Sequence, residues 1–422
     1  MAYTITFSSQ PTKYVYLDSS PIEYYIRVVY GGGDDVPALI ECTLTIRQAG
    51  VTYTETVQKT AAVYGTLEAY FYFDFSEIVK KYTYPVLAFA DIADTNARHL
   101  NIMDCYFQPS FQLFVEDSTT GLIESEGSPF TPSIATVGAI RGRFQTDNAT
   151  RDINDYLFLG NSGVTSKSIL STRPNGGKIG ALEWEVAALP VMGDFFASSE
   201  PLNGVRVVST MPNGTTNIST DFLTFPNNTT VKDDLYYIVP IGTANLTSLI
   251  SAGAVSYTVQ FGFKAAIGPG FTVKYAAISR VITTCVPEAK VIFFNSLGGI
   301  DFFNFYFERV QEYEADRSTY SKQHAKLFYS HINVSATGGE VLTANSLQKI
   351  KLQTKCTTEE YAWLAKELLL SGKAYIMLEN FGIDSTLIPV NLLSSNVEAY
   401  NSETAEYFTN FEFQYSNPIL SL

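Results

Sequence analysis

Short rows of apolar residues at every second position are spread along this chain. Tyr3, Ile5 and Phe7 alternate with Thr4 and Thr6, and Tyr24, Ile26, Val28 and Tyr30 form a second row. Tyr257, Val259, Phe261 and Phe263 alternate with Thr258, Gln260 and Gly262. Near the end, Tyr407, Thr409, Phe411, Phe413 and Tyr415 alternate with Phe408, Asn410, Glu412 and Gln414. A strand turns successive side chains to opposite faces, so this period buries one face of a sheet and wets the other. At 422 residues the chain also exceeds one ordinary core. The expected fold class is therefore mainly β, in several sandwich-like or barrel-like domains.

Composition narrows the reading. Hydrophobic residues make up 46%, too many for a disordered chain. Tyr (27) and Phe (29) are abundant while Trp (2), Met (5) and His (3) are scarce. Aromatic side chains fit a pleated, half-buried surface, and tyrosine also suits interfaces. A tyrosine-rich core and a tyrosine-rich contact surface stay equally open. The net charge of −14, with no Lys/Arg cluster longer than two, argues against a general nucleic-acid binder. Solubility is the simpler meaning of that acidity. Cys42, Cys105, Cys285 and Cys356 are scattered and form no CxxC, so buried free thiols in a reducing compartment are expected.

Two stretches bear on membranes and secretion. Met1 to Phe7 lacks a basic and an apolar segment, so no secretory signal is expected. Leu235 to Phe263 runs 29 residues without a charge, but Pro240, Gly242, Asn245, Gly253 and Gln260 interrupt it and its end alternates as a strand. No membrane span is expected.

Three regions follow from turn clusters: 1–134, closed by Pro129, Thr131, Pro132 and Ser133; 135–289; and 290–422. The second region is either a domain of its own or continuous with the first. In the first, Ala49-Gly50 reads as a hairpin tip between Cys42-Leu44-Ile46 and Val51-Tyr53. A short helix is expected over Asp74–Lys81, with Asp74 as cap and Glu77 three residues on. In the second, a loop over 172–178 leads into a strand at Leu182–Val186, Met211–Asn228 reads as a hairpin, and Tyr236–Gly242 as a strand ended by a turn.

The third region is the best defined. Val291–Phe294 enters a tight turn, Asn295-Ser296-Leu297-Gly298-Gly299, and Ile300–Phe305 leaves it. Glycine turns at positive φ without steric cost, so Asn295, Gly298, Gly299 and Asp301 read as a structural turn. The strongest helix spans 357–371: Thr357 and Glu360 make a capping box, Tyr361, Leu364, Ala365 and Leu368 share a face, and Gly372 follows. One helix covering one face of a sheet makes this region an α+β module.

Candidate sites are weak. Glu183 and Glu185 lie two apart on the expected strand and face one side, as a glycosidase pair must, but a solvated face is the expectation. Asp147, Asp152, Asn154 and Asp155 offer oxygens without the Asp-x-Asp-x-Asp-Gly spacing of a calcium loop, so a solvated turn is expected. His99, His324 and His331 form no metal pattern and read as surface or interface residues. Gly160-Asn161-Ser162-Gly163 has the wrong spacing for a serine elbow, and Gly268-Pro269-Gly270 is a turn. Sequons at Asn148, Asn213, Asn217, Asn227, Asn228, Asn245 and Asn333 arise from an Asn/Thr-rich composition, and no glycan is assigned. No catalytic, cofactor or metal residue is expected, and the chain is not read as an enzyme.

Several stretches resemble, in joint order and spacing, the virion tail proteins of crAss-like and related Bacteroidetes-infecting bacteriophages. They are the 295–303 turn, the capped helix running through Leu368-Leu369-Leu370-Ser371-Gly372 into Ala374-Tyr375-Ile376, and Asn410-Phe411-Glu412-Phe413-Gln414-Tyr415-Ser416. Ser171-Thr172-Arg173-Pro174, Pro240-Ile241-Gly242-Thr243-Ala244-Asn245-Leu246, Phe7-Ser8-Ser9-Gln10-Pro11 and Asp74-Phe75-Ser76 share that style. The resemblance implies a β-rich subunit of a tail hub, ring or distal tail. Such a subunit is made in the host bacterial cytoplasm, resides in the virion, and assembles with its own copies and other tail proteins around a DNA channel. It implies no specific nucleic-acid binding and no cofactor. Two competing expectations are a β-sandwich adhesin or carbohydrate-binding protein, and a cell-wall hydrolase resting on Glu183 and Glu185.

Overall fold

The computed structural model describes residues 3–17, 21–31, 35–48, 50–63, 67–83, 87–99, 104–141, 168–190, 202–219, 223–224, 236–265, 270–321, 339–377, 387–394 and 406–416. The fold is mainly β, in five sheets with three helices among these residues. Backbone contacts divide the chain into two compact units. One holds residues 1–284 with 294–301, the other 285–293 with 302–422.

The first unit begins as a β-sandwich. One sheet orders β1 (Thr4–Ser9), β3 (Glu23–Val29), β7 (Glu68–Asp74) and β6 (Ala62–Val63). The other orders β2 (Tyr14–Tyr16), β11 (Val137–Ile140), β9 (Asp104–Glu116), β4 (Val36–Gln48) and β5 (Val51–Thr60), with β10 (Ile123–Phe130) also on β9. The alternating rows meet between them: Tyr24, Ile26, Val28, Phe71 and Phe73 pack with Ile40, Cys42, Leu44, Ile46, Phe111 and Leu113. Pro109 sits mid-strand in β9 at a tolerated place. β11 pairs β9 over 104–107 and β10 pairs it over 111–116, so the missing N–H falls in the gap between them. The border expected near 134 falls between β10 and β11, which share this sheet.

β4 and β5 pair as the expected hairpin, with Gln48 opposite Val51 and Gly50 at φ 77°, and Ala49 lies outside the described residues. The first helix is shorter than expected, α1 (Ser76–Lys80), and its cap differs. Asp74 accepts from the Ser76 N–H (2.9 Å) and hydroxyl (2.6 Å), whereas Glu77 pairs with Lys80 instead of closing a box. A further turn of helix, α2 (Phe89–Ile92), lacks apolar periodicity and was not anticipated.

The rest of the unit packs two more sheets. One orders β12 (Gly177–Gly180), β20 (Ile278–Thr283), β18 (Ser256–Lys264), β14 (Gly204–Thr210) and β15 (Thr216–Ile218), with β16 (Leu223–Thr224) on β14 and β19 (Phe271–Val273) on β18. The other orders β13 (Val186–Pro190), β17 (Tyr236–Pro240) and β8 (Arg98–His99). Val205, Val207, Val259 and Phe261 pack with Ala187, Leu189, Tyr237 and Val239. The uncharged 235–263 stretch is thus two strands and a turn region, and no described helix is long and apolar enough to cross a membrane.

The second unit is built on one sheet ordered β22 (Ile300–Phe305), β21 (Ala289–Phe294), β25 (Ala374–Met377), β26 (Leu387–Leu392), β27 (Glu406–Tyr415), β24 (Gly339–Thr357) and β23 (Glu308–Ser321). α3 (Thr358–Leu370) covers one face, burying Tyr361, Trp363, Leu364 and Leu368 against Val291, Phe293, Phe303, Phe305, Phe411 and Phe413. This is the α+β arrangement expected. Thr357 ends β24 just before the helix, the position of the expected cap, and Glu360 stands in the first turn. The Thr357 side chain lies outside the described residues.

Candidate functional site

The turn after β21 carries a buried polar cluster, and all its members belong to the first unit. Asn295 N–H bonds the Gly299 carbonyl (2.9 Å) and Gly298 N–H bonds the Asn295 carbonyl (3.0 Å), closing the turn. The Asn295 side chain is fully used. Its oxygen accepts from Leu297 N–H (3.0 Å) and Gly299 N–H (2.9 Å), and its amide donates to the Leu170 carbonyl (2.9 Å) and Asp301 (2.8 Å). Asp301 also accepts from the Ser171 hydroxyl (2.5 Å), the Thr172 N–H (3.1 Å) and the Thr172 hydroxyl (2.7 Å). Tyr236 donates its hydroxyl to the Gly298 carbonyl (2.8 Å). Asn295 and Asp301 are buried, as a turn of satisfied polar groups allows.

The two glycines are needed for different reasons. Gly298 has φ 79°, the left-handed region expected for the turn. Gly299 is a matter of space: a Cβ there would stand 1.4 Å from the Leu170 carbonyl oxygen.

The segment that clasps this turn continues into a second cluster. Arg173 donates to Glu185 (3.0 Å) and to the Lys178 carbonyl (3.0 Å). Arg280, from β20, lies over the same carboxylate at 2.7–3.2 Å through Nη2 and Nε. Burial works against the Arg280 charge, but the Glu185 carboxylate outweighs it and holds the guanidinium above its ordinary value. Glu183 accepts from Gly180 N–H at 2.7 Å. The backbone of both acids is gripped by the turn after β17. Glu183 N–H donates to the Thr243 hydroxyl (2.9 Å) and Glu185 N–H to the Asn245 side chain (3.0 Å). Asn245 in turn donates to the carbonyls of Ile92 (2.8 Å) and Asp94 (2.7 Å). Gly242 permits the approach, since a Cβ would fall 2.4 Å from Glu183 O.

The solvated face expected for Glu183 and Glu185 is corrected. Both are interior, with 2% and 1% of each exposed. The strand begins at Val186 rather than Leu182, and the acids sit in the chain that precedes it. Two arginines make burial of the Glu185 carboxylate tolerable, because a paired and hydrogen-bonded charge avoids most of the desolvation cost. The Glu185 carboxylate is occupied by guanidinium groups, which is not the arrangement of a free acid and base flanking a substrate.

Sequence-distant motifs therefore converge. Ser171-Thr172-Arg173, Gly242-Thr243-Asn245 and Asn295–Asp301 form one polar network in the first unit. The Asn245 sequon is consumed by it. Of the thiols, Cys42 and Cys105 are buried, while Cys285 is exposed and departs from the expectation. The Cys356 side chain lies outside the described residues, as do Asp147, Asp152, Asn154, Asp155, His324, His331, the 160–163 segment and 268–269; His99 belongs to β8, and its side chain lies outside them too. Among the described residues no group of three or more His, Cys, Asp or Glu is placed to hold a metal ion.

No family model matches the chain, and no curated protein matches it. A solved structure described as "Ca2+-stabilized adhesin helps an Antarctic bacterium reach out and bind ice" aligns with 98% of this chain and 98% of that one, at 9% identity and a TM-score of 0.17. At that score the likeness carries no argument about fold or function.

Proposed function

We propose that this chain is a structural subunit of a bacteriophage tail, a hub, ring or distal-tail component. It assembles with copies of itself and with other tail proteins into a rotationally symmetric ring around the DNA channel. It is made in the host cytoplasm, works in the virion, and performs no catalysis. The sequence resemblance motivates the reading, and one observation carries it. β23 and β24 pair from Glu308↔Gln353 to Ser321↔Gly339, but β27 accompanies β24 only from Lys349 to Thr357. Beyond Lys349 the two strands continue as a ribbon with no third strand among the described residues. A two-stranded ribbon is marginal by itself in water. Strands or loops of neighbouring copies would complete it, as a heterologous contact that closes into a ring requires. An acidic chain also suits a channel through which DNA slides.

The test is light scattering on the purified chain, with negative-stain imaging, for wild type and for a variant in which an Asn-Gly turn replaces residues 315–346. Closed rings lost in the shortened variant are expected. Rings that survive the shortening, or a wild type that stays a monomer even with its tail partners, would overturn the reading.

A second reading, an adhesin or carbohydrate-binding protein, is favoured by one surface. Tyr25 and Tyr72 meet in a tilted contact across β3 and β7 with ring centroids 4.8 Å apart, and both are exposed. Tyr72 donates to Glu23 (2.7 Å), which fixes the ring and is the main cause pushing its hydroxyl up to about 12. Glycan-array binding abolished by Tyr72→Ala would favour this reading over the first.

A further inference from the structure

The strand β5 lies at the border of its sheet. β4 pairs it along one side from Leu39↔Thr60 to Gln48↔Val51, with no break in register, and no described strand lies on the other side. Ala61 N–H bonds the Ala38 carbonyl at 3.0 Å, and the unbroken register carries that hydrogen-bonding phase back along the strand to Val51 opposite Gln48. Odd-numbered residues therefore face β4, while Thr52, Thr54, Thr56, Gln58 and Thr60 turn their N–H and C=O groups to the open side.

Such an edge is a template for pairing, and proteins usually blunt it by shortness, bulges, proline or charge. Other described edges of the first unit follow that rule: β10, of eight residues, carries two glutamates and Pro129 and shifts register between Glu126 and Phe130. β6 has two residues, β2 three and β12 four, and β1 is broken by a bulge between Phe7 and Ser9. β5 has ten residues, reads Val-Thr-Tyr-Thr-Glu-Thr-Val-Gln-Lys-Thr, and carries one charge of each sign. Val51 and Tyr53 are exposed along it.

We propose that β5 pairs antiparallel with β5 of a second copy of this chain, about a two-fold axis at Val57. The charge pattern selects that occupant and that register. With the axis at Val57, Glu55 stands opposite the second copy's Lys59, and Lys59 opposite its Glu55. Thr56 then faces Gln58, so outward-facing backbone meets outward-facing backbone. An axis at Glu55 would set two carboxylates against each other, and an axis at Thr56 would leave each charge opposite an uncharged residue. Opposite charges directly across a strand pair stabilise it and like charges oppose it. Tyr82 donates to Glu55 at 2.5 Å and holds the carboxylate on the face it shares with Lys59. The contact is isologous and joins two copies only, so it stands apart from ring closure and from the tail reading.

The experiment is sedimentation velocity on the full chain over a wide concentration range at low salt. Wild type passes from one copy to two. Glu55→Lys or Lys59→Glu alone weakens the association about tenfold, and the double exchange restores it. Thr56→Pro removes an outward N–H without touching the β4 ladder and abolishes it. Circular dichroism melts matching wild type confirm that each variant is folded. A monomer at every concentration, or a dimer indifferent to both charge reversals and to Thr56→Pro, overturns the proposal. Two-copy association lost in Thr56→Pro while larger rings still form supports it independently of the tail assignment.

Discussion

Glu185 and Glu314 each meet a cation at hydrogen-bond distance, under opposite conditions. Glu185 lies 2.7 Å from Arg280, with 2% of each side chain exposed, in the first unit. Glu314 lies 2.8 Å from Lys349 across the β23–β24 ribbon of the second, with 62% of the acid and 25% of the lysine exposed. The distances are nearly the same, so geometry alone does not rank them. Solvent does. Water and salt screen the ribbon pair, whereas removing one partner of the buried pair strands a charge in a poor dielectric. The first region uses charge to specify where segments lie, and the second uses it to keep an exposed ribbon wet.

The largest expected effect falls beside the buried cluster. Gly299→Val drives side-chain atoms into the Leu170 carbonyl, and loss of the cooperative melt of the first unit is expected. An unchanged melting midpoint would show that the 168–173 segment yields freely. Glu185→Ala leaves two buried guanidinium groups without their carboxylate and should cost about 3–5 kcal/mol in denaturant unfolding. A loss of less than about 1 kcal/mol would mean that water reaches the cluster, and the contrast with the ribbon would collapse.

The thiols extend the comparison to pH. Burial pushes the Cys42 thiol from 9.0 up to about 12. A raised value favours the neutral folded form, so its contribution to stability is complete below about 9 and is lost as pH rises towards about 12. A thiol reagent at neutral pH should modify Cys285 in the native chain and Cys42 only after unfolding; equal rates would contradict the burial. The smallest effect is expected at Lys349→Ala, with no measurable change in midpoint at physiological salt. A clear drop there would mean that the ribbon is shielded, as by a neighbouring copy.

Much of the fold was legible because its signals are local. The rows at Tyr24–Tyr30 and Phe411–Tyr415 became half-buried strands, and the apolar face of 357–371 became α3 with its bounds shifted by one residue. The 294–300 turn was readable from Asn and Gly alone. What was misread depends on distance. Arg280 stands 95 residues from Glu185, and nothing near the acids announced it. Ser171-Thr172-Arg173 and Thr243-Asn245 stood out as motifs, but their task of gripping 183–185 and 301 appears only when the segments meet.

Residue order by itself determined the β class, the strand faces, the aromatic hairpin and the one long helix, because side-chain period and capping act within a few residues. Tertiary structure alone decided that Glu183 and Glu185 are interior, that Gly299 is needed for a neighbour's carbonyl, that residues 137–140 finish the first sandwich, and that β5 borders its sheet with no described strand on its outer side. Those outcomes depend on desolvation and close packing between segments far apart in the chain, and such energies exist only once the segments have come together.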